Sequence, residues 1–445
     1  MSGKPATLLL TASICLCFYG TTSAAAEPVQ PISVERLIEQ LGNPDFHTRE
    51  EAGQQILRQG PGALPALLKN RKTADAEVRR RVEELIVKLE RATVLAPNYV
   101  SLHLRQKPIA DALAQIAKQT GYTIPLEGAI GIRARDTLGT FEFDKLTFWE
   151  AFDRVCHAGG LSLMQSDGDN TLRLTAQDAY TPFVSYDGTF KITATGFHYS
   201  LTSNFGQLAR NGAPSFMSYE SLQFNFMVAV EPRLPIMHLG QVRLSAAEDD
   251  EGHSMLLGNG GPNGFFQGGA RFYRGGMQRT YFQSANIGLA WPSKSAHTVK
   301  LLRGTVPVTL LAEQKPILLT DQVADAKGKT LRAGTASFQI SEVSKSANNQ
   351  MQIKITYNDE GLNNPFDYSQ VQMVPGRVEL QDNKGKKIRT NGYIQMYHSP
   401  SSIDFLVRTA GMSSKDVGAP TRLVFQHFVQ MEHEVPFELK GLPLP

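Results

Sequence analysis

Three groups of residues in this chain have side chains capable of chemistry. Cys156 adjoins His157, a thiol beside a base. A nucleophile needs its base within hydrogen-bond reach, but neighbours on a helix point about 100° apart. Cys156 also falls on the core side of its helical pattern, so a buried structural thiol is expected, and replacing it should change stability rather than any turnover. Near the C-terminus, "QHFVQMEHEVPFE" carries His427, Glu432, His433 and Glu434. On one uninterrupted strand the two histidines would stand about 20 Å apart, too far for ligands that must lie near 2 Å from one ion. "SDGDN" alternates oxygen ligands but lacks the rest of a calcium loop, and reads as a hairpin turn. No catalytic, cofactor or metal site is expected from these residues.

The stretch Leu257 to Gln283, "LGNGGPNGFFQGGARFYRGGMQRTYFQ", has a different character. Its glycines supply flexibility, and Phe265, Phe266, Phe272, Tyr273, Tyr281 and Phe282 supply area that a loop has no local reason to expose. Arg271, Arg274 and Arg279 add cations able to stack on rings or pair with carboxylates. Two readings stand: an insertion between strands without fixed structure, or a partner-binding loop using Phe265, Phe266, Arg271, Phe272, Tyr273 and Arg274.

The elements that must position these groups follow from the whole chain. It has 445 residues, 41% hydrophobic and 20% charged, enough for about three ordinary domains. Lys4, an apolar run and "TTSAAAEP" make residues 1–26 a secretory signal, with a lipid anchor at Cys15 or Cys17 as the competing reading. An exported chain, periplasmic or extracellular, is the expectation. No later stretch is long and apolar enough for a spanning helix. Loss of Lys4 takes the formal charge from +3 to +2 (3 − 1), too small to direct the chain to nucleic acid. Only Cys156 remains of three cysteines, so no internal disulfide can form.

Residues 32–93 show helical periodicity. Leu37, Ile38 and Leu41 form one apolar stripe, and Ala52, Ile56 and Leu57 another. A shift of 30 takes Asp45 to Asp75, Arg49 to Arg79 and Ile56 to Ile86. An Asp at a helix start caps free amides, and the Arg four residues on can reach back to it. "DFHTREEAGQQILRQGPGALPALLK" resembles HEAT-type repeats, which implies antiparallel helix pairs.

Residues 98–176 carry a second repeat. A shift of 39 takes Leu102 to Phe141, Leu104 to Phe143, Ile109 to Phe148, Asp111 to Glu150, Ile116 to Val155 and Gly121 to Gly160. Each copy reads strand, helix, strand, with Gly121 and Gly160 suited to left-handed caps. "VSLHLRQKPIADALAQIAKQTGYTI" and its second copy resemble the secretin and TonB short N-terminal domain, a small βαβ-type module. The resemblance implies a docking unit; nothing downstream resembles the secretin pore, so channel function does not follow.

From residue 180 onward, short alternating runs separated by Gly, Asn, Asp and Pro predict β-sandwiches. The runs recur: "GQVRLSAAEDDEG" is answered by "GRVELQDNKGKKI". Two immunoglobulin-like sandwiches are expected, at 180–312 with the loop 257–283, and at 313–445. The expected fold class is thus multidomain α+β: HEAT-like hairpins, a βαβ-repeat module and two sandwiches. The order of parts resembles a group of exported bacterial proteins of unassigned function. The expected function is a non-enzymatic adaptor or scaffold, without cofactor, that binds another envelope protein or a surface polymer. The alternative is a hydrolase whose site assembles between domains.

Overall fold

The computed structural model describes residues 32–164, 171–176, 181–205, 216–257, 272–273, 276–277, 280–291, 293–345, 350–360, 368–399, 401–410 and 418–445. Strands hold 47% and helices 27%, so the chain is mostly β, built on several antiparallel sheets. It divides into two units, Met1–Ala92 and Thr93–Pro445.

The first unit contains α1 (Val34–Gln40), α2 (Phe46–Gln59), α3 (Leu64–Lys69) and most of α4 (Ala76–Leu95). Asp45 caps α2 by accepting from the Thr48 amide at 2.8 Å, and Asp75 accepts from the amides of Glu77 and Val78 at the start of α4. Arg49 and Arg79 reach the loop carbonyls of Asn43 and Thr73 rather than the capping carboxylates. The 30-residue periodicity therefore marks two similar helix starts. The expectation of HEAT-like repeats is corrected, because no such repeat is evident. Helices α1 and α3 have seven and six residues, two turns or less, and all four helices close on one small core around Leu37, Ile56, Leu67 and Leu89.

The second unit begins with the duplicated module: β1 (Tyr99–Pro108), α5 (Ile109–Thr120), α6 (Gly128–Asp136), β2 (Leu138–Thr147), α7 (Phe148–Ala158), β3 (Ser162–Leu163) and β4 (Leu174–Thr175). The opening strands of the two copies, β1 and β2, pair antiparallel with each other, with Leu102 opposite Phe143 and Leu104 opposite Phe141. This differs from the parallel pairing of a βαβ unit. Positions 39 apart make reciprocal bonds. Ile109 donates its amide to the Thr137 carbonyl at 2.9 Å, and Phe148 donates to the Asn98 carbonyl at 2.8 Å. Among the described residues, those with positive φ other than glycine, Gln106 (φ 49°) and Lys145 (φ 50°), are also 39 apart. Each donates its amide across the ribbon to a hydroxyl of the other copy, Thr140 or Ser101, and each marks a bulge.

The β region opens with β5 (Val184–Asp187), β6 (Phe190–Phe205), β7 (Phe216–Val230), β8 (Ile236–Leu239), β9 (Arg243–Asp249), β10 (Phe272–Tyr273), β11 (Gly276–Met277), β12 (Phe282–Leu289) and β13 (Thr298–Thr320). It continues with β14 (Thr330–Ala333), β15 (Ala336–Lys345), β16 (Met351–Asp359), α8 (Tyr368–Arg377), β17 (Val378–Gln381), β18 (Thr390–His398), β19 (Ser402–Thr409) and β20 (Arg422–Pro443). One sheet has the order β12-β7-β6-β5, and another β14-β15-β16-β19-β18. The doubling extends to the turns. Asp249 accepts from the amides of Glu251 and His253, and Asp382 from those of Lys384 and Lys386, each around a left-handed glycine, Gly252 (φ 88°) or Gly385 (φ 79°).

The expectation of two separate sandwiches is corrected by β13 and β20. These strands pair antiparallel from Thr298↔Pro443 to Thr320↔Leu423, as the spine of a sheet that faces both others. Val435, Phe437, Leu439 and Leu442, near the end of the chain, are buried in the first core, whereas Leu423 and Phe425 belong to the second. Leu423, Phe425, Val435, Phe437 and Leu439 are all odd-numbered, so one face of β20 serves both cores. On β13 the core-facing positions change from even (the buried Val306, Val308 and Leu310) to odd (the half-buried Ile317 and Leu319) across a bulge between Leu311 and Glu313. Residue 312, where one sandwich was expected to end, lies at that bulge inside a continuous strand.

The duplicated module packs on the outer face of the first sheet. Lys191 of β6 pairs with Asp153 of α7 at 2.7 Å, and Tyr186 donates to the same carboxylate. Trp149, fully buried, donates its Nε1 proton to the Thr189 carbonyl, and Tyr281 donates to that of Thr171. At one edge the buried Glu231 accepts from the Asn98 amide at 2.8 Å and the Tyr122 hydroxyl at 2.6 Å. Burial, then the Glu231 charge, pushes the Tyr122 phenol up. Arg233 lies 3.4 Å from Glu231 and donates to the carbonyls of Val94 and Ala96, fixing the chain where α4 ends.

Candidate functional site

Cys156 lies on the buried face of α7, and burial pushes its thiol well above the usual range. The native thiol should resist Ellman's reagent until the protein unfolds, and Cys156→Ala should cost about 1 kcal/mol by melting. Rapid labelling of the folded protein would contradict this. His427 and His433 both lie on β20, opposite Lys315 and Val308 of β13, with the His433 ring stacked on Phe190 at 5.2 Å. Among the described residues no three His, Cys, Asp or Glu side chains are grouped to hold a metal ion. The turn read from "SDGDN", residues 166–170, lies outside the described residues.

Of the expected partner-binding residues, Phe265, Phe266, Arg271 and Arg274 lie outside the described residues. Phe272 and Tyr273 form β10, paired with β11. Tyr281 and Phe282 do not belong to an exposed loop: they are 1% and 2% exposed at the start of β12. The described chain enters the Gly-rich segment at Leu257, whose side chain lies over Gly288, beside the Met255–Ala290 backbone bond of 2.8 Å.

That point adjoins an aromatic rim that sequence reasoning missed. A bulge after Ala194 shifts the inward positions of β6, so that Phe197, Tyr199 and Leu201 follow Phe190, Ile192 and Ala194 to the core face. Tyr199 stands level with the buried Leu222 of β7 and Leu289 of β12. Beyond this row β12 ends, and β6 and β7 continue as a two-stranded ribbon. The core face thus emerges into solvent, with Leu201 62% exposed.

Trp291, just past β12, meets Tyr199 with ring centres 5.2 Å apart and planes at 90°. The Lys294 ammonium lies 3.9 Å from the Trp291 ring centre and 5.0 Å from that of Tyr199. Such contacts contribute about 0.5–1 kcal/mol at exposed sites. Lys294 pairs with Glu220 through the same oxygen that accepts from the Tyr199 hydroxyl at 2.6 Å. The Lys294 and Tyr199 hydrogen bonds hold the Glu220 carboxyl below its usual range, and the bond to Glu220 pushes the Tyr199 phenol up. The Trp291 indole N–H is shielded from solvent without a hydrogen-bond partner among the described residues. Trp291 is one of two tryptophans in the chain, and its position after an alternating strand in "NIGLAWPSKS" was the available signal.

A second exposed cluster lies on the β1–β2 ribbon. His103 touches Glu142 at 3.3 Å and Asp144 at 3.0 Å, and Arg105 pairs with Glu142. Hydrogen bonds to Glu142 and then Asp144 raise the imidazole above its usual range. These charges satisfy one another on a solvated face.

Compared with known proteins, the chain matches no protein-family model, no curated protein and no solved structure.

Proposed function

We propose that this protein is an exported, non-catalytic adaptor of the cell envelope, with the aromatic rim of the first sandwich as its ligand seat. The observation that carries the reading is the emergence of the core face at Tyr199, Leu201 and Trp291, where two rings and a Lys–Glu pair are held in fixed relation. Aromatic residues dominate the energetics of interfaces, and exposed apolar area of this kind marks interaction sites. The polar groups support the same view, because the buried Glu231, Asp249 and Asp382 and the half-buried Asp153 are engaged in joining modules and holding turns. The duplicated module fits a docking role, here toward its own sandwich. No described helix is long and apolar enough to cross a membrane.

Cross-linking pull-downs from intact cells test the reading. The double variant Tyr199→Ala, Trp291→Ala should melt within a few degrees of the parent and lose its partner. Undiminished recovery of the same partner by the folded variant would remove the rim from the proposal.

A further inference from the structure

We infer that the outer edge of β6 between Phe197 and Ser203 pairs antiparallel with the same edge of a second copy of this chain, about a twofold axis at Ser200. The inference goes beyond the ligand seat proposed above and does not rest on it. Strand β5 pairs with β6 only from Phe190 to Thr193, and Ala194 donates its amide to the Phe183 carbonyl on that side at 2.9 Å. Beyond Ala194 no described strand pairs with this edge. His198, Tyr199, Leu201, Thr202 and Ser203 are all exposed, so the described chain leaves the edge uncovered. Along a strand the side-chain face and the amide direction alternate together. Ala194 faces the core with its amide outward, so the core-face positions after the bulge, Phe197, Tyr199 and Leu201, turn their amides and carbonyls to the open edge. A row of unpaired backbone groups is a template for another strand.

Three features select a second copy as that strand. Pairing like with like sets residues near their own duplicates, so an edge bearing charges repels itself. From Ile192 to Phe205, β6 contains no Asp, Glu, Lys, Arg or Pro, the residues that blunt an edge. The β1–β2 ribbon, by contrast, carries His103, Arg105, Glu142 and Asp144. The register is self-complementary as well. With Ser200 opposite its duplicate, Tyr199 stands opposite Leu201 of the second copy, and the single histidine, His198, opposite its Thr202. Tyr199 and Leu201, 37% and 62% exposed, thereby gain cross-strand neighbours on one face. Finally, β6 and β7 run on past Leu222 as only two strands. A two-stranded ribbon is marginal in water, and three or more strands with an apolar face are stable. Pairing two ribbons makes four strands and brings both aromatic rims onto one continuous face.

The test is sedimentation equilibrium of the intact chain from micromolar to near-millimolar concentration, where a monomer–dimer equilibrium is expected. Leu201→Lys, at a position exposed in the single chain, should melt as the parent does and weaken the dimer on the order of tenfold or more. Cysteine cross-linking reads the register independently, with Cys15 and Cys17 changed to serine and Cys156 buried. Ser200→Cys should oxidise to a linked dimer, because facing positions of this kind lie about 4.5 Å apart, within disulfide reach. Thr202→Cys, displaced from its duplicate by about 13 Å along the strand, should not. A chain that stays monomeric throughout, a dimer untouched by folded Leu201→Lys, or equal linkage at 200 and 202 would each overturn the inference. If the chain is monomeric and Leu201→Lys loses a different protein from the pull-down, the edge serves another strand; the inference fails and the adaptor reading survives. If the dimer forms while the Tyr199, Trp291 double variant keeps its partner, the rim fails as the ligand seat and the inference stands.

Discussion

Removal of residues 431–445 is expected to unfold the first sandwich, although its other strands lie far upstream. The deleted segment contains Val435, Phe437, Leu439 and Leu442, each 3% exposed or less. Burying a large apolar side chain contributes about 1.5–3 kcal/mol, so the four together account for roughly 6–12 kcal/mol. That is comparable to the whole stability of an ordinary domain, about 5–15 kcal/mol. The ladder from Thr298↔Pro443 to Leu310↔Met431 is lost as well. The second core keeps its share of β20, because Leu423 and Phe425 remain. Hydrogen exchange read by mass spectrometry should therefore show lost protection in β5, β6, β7 and β12, and more retained in β15, β16 and β19. A truncated protein that melts within a few degrees of the parent would show that the C-terminal half of β20 is dispensable.

The second large effect is expected at Glu231. Glu231→Ala removes the acceptor for the Asn98 amide, the Asn98 side chain and the Tyr122 hydroxyl, and takes the carboxylate away from Arg233. Breaking a buried pair by deleting one partner costs about 3–5 kcal/mol. Arg233 is partly exposed and retains its carbonyl partners, so the lower half of that range applies. A fall in melting temperature on the order of 10 °C is expected from that loss. Glu231→Gln keeps the shape and one acceptor oxygen, and should fall between the parent and the alanine variant. A drop below about 3 °C for Glu231→Ala would show that the Glu231 hydrogen bonds contribute little to holding the module to its sandwich.

The parts of the fold that were legible in the sequence are those encoded by local periodicity. The 39-residue shift found both copies of the module, because Leu102, Leu104, Phe141 and Phe143 face one core and Ile109 and Phe148 begin equivalent helices. The antiparallel pairing between copies was not legible, since it depends on bulges at Gln106 and Lys145, residues with no preference that announces a positive φ. The doubled turns were legible through "EDDEG" and "QDNKG". The shared strands were not: "LLAEQKP" looks like a break in alternation, and alternation cannot distinguish a bulge within a strand from the end of a domain. Tyr281 and Phe282 were read with their Gly-rich neighbours, whereas their ladder partners Ala229 and Val230 lie some fifty positions earlier. The rim was missed for the same reason. Tyr199, Glu220, Trp291 and Lys294 come from three separate segments, and only register brings them together.

The long strand β20 also governs when the first sandwich can fold. The Glu438 amide donates to the Ser185 hydroxyl at 3.3 Å across 253 positions of sequence. A nascent chain that has emerged as far as β19 has every strand of the first sandwich except the one completing its wall. Its apolar interior must wait, open, for β20 to arrive. Contacts of such wide sequence separation make folding slow and leave unfinished edges available to other chains. The interval between synthesis and closure is therefore when this protein has most need of a chaperone.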